Sequence, residues 1–229
     1  MRHFINIALV LAFSAAAQAQ LPDLTYNAFS AGFTRTDVDH ATEDADSLTV
    51  GLSYEINETF HLWGQLDRTT LDQAIEFPFF TDDVVVDHPG IGLPPVETKV
   101  RSLGLAVGGG FHNDLTDSLS GYARLGFVYA DTEVEVSTFG TVFEGTGVTF
   151  GGDGLTTTES STDFVLSAGL RYKAVDWLDL FGGLSQVGED STTGHAGAEF
   201  WIANGWGAQL AGVLGDNSQG FSLGVVRRF

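Results

Sequence analysis

The sequence predicts an all-β fold: a transmembrane, antiparallel up-and-down β-barrel of about ten strands. Three observations predict it. Apolar residues recur at every second position through most of the chain. The connections alternate between tight turns and long loops. No run of 18 apolar residues offers a transmembrane helix.

Residues 1–19 stand apart. In MRHFINIALVLAFSAAAQAQ, Arg2 and His3 form a short basic start, Phe4 to Phe13 an apolar stretch, and Ala17-Gln18-Ala19 a small-x-small cleavage site. This is a secretory signal peptide, and 20–229 then form a single domain. Cleavage removes Arg2, leaving nine of the ten Lys and Arg against all 30 Asp and Glu. So acidic a chain is no nucleic-acid binder, since phosphates need neutralising by cations. With no cysteine, an exported protein must be stable without disulfides.

The first strand, about 24–36, alternates least cleanly. In the second, 47–56, Leu48, Val50, Leu52, Tyr54 and Ile56 share one face and Thr49, Gly51, Ser53 and Glu55 the other. A tight turn at Asn57–Glu58 leads to 59–68, where His61, Trp63, Gln65 and Asp67 alternate with apolar residues. Strands follow at 99–111, 118–129, 162–173, 177–186, 194–203, 206–214 and 219–229. Most have about the 9 to 11 residues of a tilted membrane-spanning strand. Eight strands is the alternative. Asn204–Gly205 is a strong two-residue hairpin signal, because both residues tolerate positive φ.

Connections after even-numbered strands are short, and His112 falls in one of them. Those after odd-numbered strands include 37–46, 69–98 and 130–161, which keep β-branched runs such as Val134 and Val136 that can prolong strands. A barrel inserted from the periplasm needs this asymmetry; a soluble sandwich does not. The five loops on the long side carry 20 of the 30 carboxylates, counted as five, six, six, two and one, and no Lys or Arg. They form an acidic extracellular crown.

The polar face carries Gly104, Ala106, Gly108, Gly110, Gly126 and Gly169 beside long charged side chains. Glycine adds nothing to a solvated surface but fits a narrow lumen where large and small side chains interleave. The apolar face therefore meets lipid. Glu55, Asp67, Arg124, Arg171 and Glu199 face inward as a charge network that, with Trp63, Tyr122, Phe181 and Trp201, fills the lumen. Tyr54, Tyr129, Tyr172, Trp177, Trp206 and Phe229 at strand ends suit interfacial belts.

The chain ends FSLGVVRRF, with Phe221, Leu223, Val225 and Phe229 on the lipid parity. This resembles the C-terminal signature of bacterial outer-membrane β-barrels, which is read by the barrel assembly machinery. With the leader peptide, the chain resembles the small OmpA/OmpX-like outer-membrane barrels. Through DADSLTVGLSYEINETFHLWGQL it is more loosely similar to the Ax21-type group. The resemblance implies a Gram-negative outer-membrane location, partners in membrane lipid, lipopolysaccharide and the assembly machinery, and for the OmpA/OmpX-like kinship eight strands.

No local nucleophile motif accompanies His40 or His88, which sit among carboxylates, so catalysis is not expected. Asp37, Asp39, Glu43, Asp44 and Asp46 form a candidate weak site for a loosely bound divalent cation; no other cofactor is implied. Arg68, Lys99 and Arg101 fall on the outward parity beside the second long loop, where they can meet lipopolysaccharide phosphates. The function expected is a structural or surface-interaction role for a monomer. A narrow channel or transporter for small or hydrophobic solutes is the alternative, and a soluble periplasmic binding barrel the third reading.

Overall fold

The computed structural model describes residues 27–38, 41, 43–75, 96–138, 141–142, 149–150, 155–189, 191–216 and 218–229. Its strands are β1 (Ala28–Val38), β2 (Ala45–Glu55), β3 (Phe60–Ile75), β4 (Val96–Thr116), β5 (Leu119–Thr138), β6 (Thr141–Val142), β7 (Thr149–Phe150), β8 (Leu155–Val175), β9 (Leu178–Val187), β10 (Ser191–Ala203), β11 (Trp206–Gly215) and β12 (Ser218–Arg228). Among the described residues the short β6 and β7 pair only with each other. The other ten close an antiparallel barrel in which each strand lies beside its neighbours in sequence. Ten is the predicted number, not the eight that an OmpA/OmpX-like kinship implies.

The last strand is the seam. β12 pairs with β1 from Ala28↔Arg228 to Val38↔Ser218, and the Phe229 N–H donates to the Asn27 carbonyl at 3.1 Å. Phe221, Leu223, Val225 and Phe229 all point outward and are exposed. A barrel without this seam would leave two edges unpaired in hydrocarbon, at several kcal/mol for each orphaned group.

The ladders also define the stagger. From Ser161 the pairing runs through Ala130, Gly104, Asp67, Thr49, Gly32, Gly224, Gln209, Glu199 and Asp179 to Lys173. It returns to the same strand twelve residues on, from 161 to 173. Ten strands with that stagger tilt by about 40° and put the backbone about 10 Å from the axis. Among the described residues side chains alone fill this interior.

Turn chemistry follows the sequence. Asn57 Oδ1 accepts the Thr59 and Phe60 N–H groups, each at 3.0 Å, and so caps the β2–β3 turn. Asn204 and Gly205 sit at φ 53° and 77°, the two positive values a primed hairpin turn requires.

Strand lengths differ from expectation. β3, β4, β5 and β8, predicted at 59–68, 99–111, 118–129 and 162–173, run well past the span. The 9–11 residue length describes only chain that crosses hydrocarbon; a ladder continues into water wherever both strands stay extended. Asp72, Asp131, Glu133, Glu135 and Glu159, expected in loops, therefore lie on strands. The outward series changes character along the way: Leu66 gives way to Arg68, Leu103 to Arg101, Tyr129 to Asp131 and Phe164 to Thr162. These changes mark one edge of the apolar band. At the other edge lie Tyr54, Tyr172, Trp177, Trp206 and Phe229, all exposed. The interval is about ten residues, which at this tilt is about 25 Å, the height of an outer-membrane apolar band.

Inside, the two walls are unequal. β12, β1 and β2 turn inward Ser, Thr, Gly, Ala and Val, apart from Glu55 and Arg228 at the short-turn end. β3 to β5 and β8 to β10 supply Trp63, Tyr122, Arg124, Arg171, Phe181, His195 and Trp201. The bulky set lies over glycines: a Cβ at Gly126 would come within 2.9 Å of Trp63 Cζ2, and one at Gly197 within 2.6 Å of Phe181 Cζ. An apolar layer of Trp63, Ala106, Val128, Ala130, Val165 and Val187 packs against this side.

Candidate functional site

The parity of each strand puts Glu55, Asp67, Arg124, Arg171 and Glu199 in the lumen. Two clusters of contacts stand out among the described residues. At the short-turn end, Asp179 on β9 is the hub: its Oδ2 accepts from Arg171 of β8, from Arg228 Nη2 of β12 at 2.9 Å and from Trp201 Nε1 of β10 at 2.6 Å. Glu199 Oε2 lies 3.6 Å from Arg171 Nη2 and 3.5 Å from Arg228 Nη2, and its Oε1 accepts from Gln209 at 3.4 Å. The Arg228 guanidinium lies 3.3 Å from the Trp201 ring centroid. Asp179 and Glu199 have 4% and 1% of their side chains exposed, so two buried acids face two bases that keep some contact with solvent at the short-turn end. It spans the lumen between β8, β9, β10 and β12. Just outside it, Lys173 binds Asp176 at 2.9 Å, a hydrogen bond that holds this turn carboxyl below the usual carboxylate range.

A second cluster sits on the neighbouring wall. Arg124 Nε donates to His61 Nε2 at 3.1 Å, so a neutral His61 carries its proton on Nδ1. That nitrogen lies 3.3 Å from His112 Nδ1, which then accepts and keeps its own proton on Nε2. Arg124 also stands over the rings of Tyr122 and Trp63, at 5.4 and 5.9 Å. The Tyr122 hydroxyl is 3.2 Å from His195 Nε2. His112 is not in a turn, as the sequence had suggested. β4 continues to Thr116, and even parity turns His112 inward, where it is buried.

Glu55 exchanges hydrogen bonds with Asn27: its Oε2 accepts from Asn27 Nδ2 at 3.2 Å, and its N–H donates to Asn27 Oδ1 at 2.9 Å. Asp67 is 1% exposed, and neither of its oxygens has a hydrogen-bond partner among the described residues.

Several contributors escaped the sequence reading. Asp179 shares the parity of Phe181, and Arg228 that of Ser222 and Gly224; that signal was present in both cases. His61, His112 and His195 also face inward by parity, but nothing local reveals what they meet.

The remaining candidates lie at the long-loop end. Arg68, Lys99 and Arg101 point outward just past the apolar band. Lys99 is in register with Asp72 and Glu135, and Arg101 with Thr70 and Glu133; Arg68 sits between Leu48 and Leu103. Of the acidic set on the first long loop, Asp39 lies outside the described residues. Asp46 binds Arg35 through both oxygens, at 2.8 and 2.9 Å, and Asp44 approaches the same guanidinium at 4.0 Å. Asp37 Oδ2 accepts from Gln219 Nε2 at 3.5 Å. Among the described residues no group of three or more His, Asp or Glu is arranged to hold a metal. His40 and His88 lie outside the described residues.

The family described as outer membrane protein beta-barrel domain matches residues 5–229. No curated protein matches the sequence. Among solved structures, the translocator domain of the autotransporter NalP from Neisseria meningitidis is similar at 12% identity and a TM-score of 0.48, over 98% of this chain and 96% of that one. The KdgM porin in complex with disordered oligogalacturonate is similar at 10% identity and 0.45, over 88% and 99%. Ail of Yersinia pestis, with sucrose octasulfate bound, is similar at 14% identity and 0.39, over 88% and 96%.

Proposed function

This chain belongs to the outer membrane protein β-barrel domain family, a Gram-negative outer-membrane barrel crossed by buried ion pairs, and from that premise we propose that it is a narrow channel for small hydrophilic solutes, held shut near its periplasmic end by the Asp179 cluster.

The observation that carries this reading is the inequality of the two luminal walls. Apart from Glu55 and Arg228 at its short-turn end, the β12–β1–β2 wall offers only small side chains, mostly hydroxyls and glycines. Thr36, Thr49 and Ser53 on that wall, and Thr193 across the lumen, have no hydrogen-bond partner among the described residues. Buried hydroxyls without partners are poor filler and call for water. Among the described residues the obstruction comes from long, rotatable side chains: Arg171 and Trp201 on the other wall and Arg228 at the short-turn end of this one. Swinging Arg171, Arg228 and Trp201 aside would unblock the short-turn end of this hydroxylated face. Such a face suits hydrophilic solutes better than hydrophobic ones.

In planar bilayers the purified protein is expected to give small, infrequently open conductance steps. Absence of conductance both in the native protein and in a variant lacking the Asp179 cluster would remove the channel reading.

A second reading, surface interaction, has its own support. β3, β4, β5 and β8 rise past the apolar band as a four-stranded sheet. On β8, pairing with β9 begins at Val165, so Leu155 to Asp163 bond only to β5 among the described residues. A free edge in water can accept another extended chain. Proline at Thr158, whose N–H lies on the side away from β5, is placed to block such pairing and is expected to abolish surface adhesion while conductance stays unchanged; adhesion that persisted would count against it. Arg68, flanked only by leucines, is the rim cation best placed to meet a lipopolysaccharide phosphate, since Lys99 and Arg101 already have acids in register.

A further inference from the structure

We propose that Asp67, together with Thr49, is a binding point for a monovalent cation in the extracellular half of the lumen. The proposal deepens the channel reading by naming the ion class that the path favours, but its binding arm stands apart from conduction.

Asp67 faces inward at the depth where the outer side of its own strand passes from Leu66 to Arg68. In register beside it are Thr49 of β2 and Gly104 of β4. A Cβ on Gly104 would lie 2.4 Å from Asp67 Oδ2 and 2.8 Å from Oδ1. The carboxylate thus rests over the glycine backbone, with both oxygens in the space a side chain would fill. Gly104 makes the seat. Neither carboxylate oxygen, nor the hydroxyl of Thr49, has a partner among the described residues.

The neighbouring hydroxyls are already engaged. Ser47 bonds Thr69 at 2.8 Å, Thr34 bonds Ser222 at 3.1 Å, and Ser102 bonds Thr132 at 3.1 Å. No described base reaches Asp67. Arg124 is bound to His61, and Arg171 and Arg228 to Asp179. An ionised carboxylate buried without a counter-charge costs several kcal/mol, so the group must lose its charge or acquire a cation.

The donor set selects the cation. Carboxylate and hydroxyl oxygens are hard ligands. One carboxylate is too little for a dedicated calcium cage, which draws on six to eight oxygens, but it suits a partly hydrated monovalent ion. Such a site can be entered and left, as conduction requires. The approach is acidic as well: Asp163 lies half-buried on the inward parity of β8, and the chain beyond the apolar band carries carboxylates in excess.

The test compares the full-length protein with Asp67→Asn, a neutral isostere, in potassium chloride and in N-methylglucamine chloride at equal ionic strength. Potassium is expected to raise the thermal midpoint of the native protein and to leave that of Asp67→Asn unchanged. In bilayers the potassium-to-chloride permeability ratio is expected to fall by about threefold or more in the variant. Should Asp67→Asn fail to fold, crystals of the native protein soaked in rubidium are expected to show an anomalous peak between Asp67 and Thr49. A native midpoint indifferent to the cation, or no rubidium peak, overturns the site and identifies Asp67 as a protonated, neutral carboxyl. Potassium-dependent melting without conductance in any variant supports the site and removes the channel. Conductance whose selectivity and melting ignore Asp67 does the reverse.

Discussion

Asp179→Ala is expected to destabilise the barrel by about 3–5 kcal/mol and to raise its open probability several-fold. Asp179 Oδ2 gathers two guanidinium groups and the Trp201 indole at a point where its side chain is 4% exposed. Removing the carboxylate leaves Arg171 and Arg228 facing each other with Glu199 as their remaining acid in the cluster. Two cations sharing one buried carboxylate repel each other, and the relief available is for Arg228 to swing out. Its side chain is 33% exposed and sits on the last strand, so outward movement meets little obstruction. The same movement takes the guanidinium off the Trp201 ring and widens the path along β12. Asp179→Asn separates the effects: it keeps an acceptor for Trp201 but removes the charge, so stability should fall less than in Asp179→Ala while conductance still rises. Urea unfolding in detergent and single-channel recording measure the two quantities. An alanine variant as stable and as closed as the native protein would mean that the cluster neither braces nor occludes the lumen.

Leu125→Arg is expected to cost about 2–4 kcal/mol in folding from urea into phospholipid vesicles. Leu125 is 61% exposed on the outer face of β5, midway along the apolar series Ala123, Leu125, Phe127, Tyr129. Its register neighbours are Gly109 and Leu166, so no acid lies beside it to pair with a guanidinium. Long side chains near a band edge can snorkel to the headgroups, but from the middle of the band that reach fails. Leu125→Ala removes only apolar contact and is expected to cost far less. In a water-soluble barrel an exposed leucine changed to arginine would be neutral within about 0.5 kcal/mol. Folding of Leu125→Arg as efficiently as the native chain would therefore argue that this face does not touch lipid.

The sequence by itself determined which way nearly every side chain points. In a strand, parity is a local property: once Leu125 faces lipid, Arg124 must face the lumen, whatever the rest of the chain does. Strand number was legible for a similar reason, because Asn57–Glu58 and Asn204–Gly205 announce turns through their own chemistry. The C-terminal strand was readable from its alternation together with its resemblance to the outer-membrane C-terminal signature. Extent was less legible. Nothing in an alternating pattern says where lipid stops, so β5 and β8 outran their expected ends once Asp131 and Thr162 continued the ladder into water.

Who meets whom inside follows from the closure of the barrel. The twelve-residue stagger slides strands past one another, so Asp179 reaches Arg228 from 49 positions away and His61 meets His112 across 51. It also leaves Asp67 beside Thr49 and over Gly104, with no described base within reach. Direction comes from adjacent atoms and is written residue by residue. Partnership across a lumen depends on tilt, closure and the reach of every other side chain, a sum that no single stretch of sequence contains.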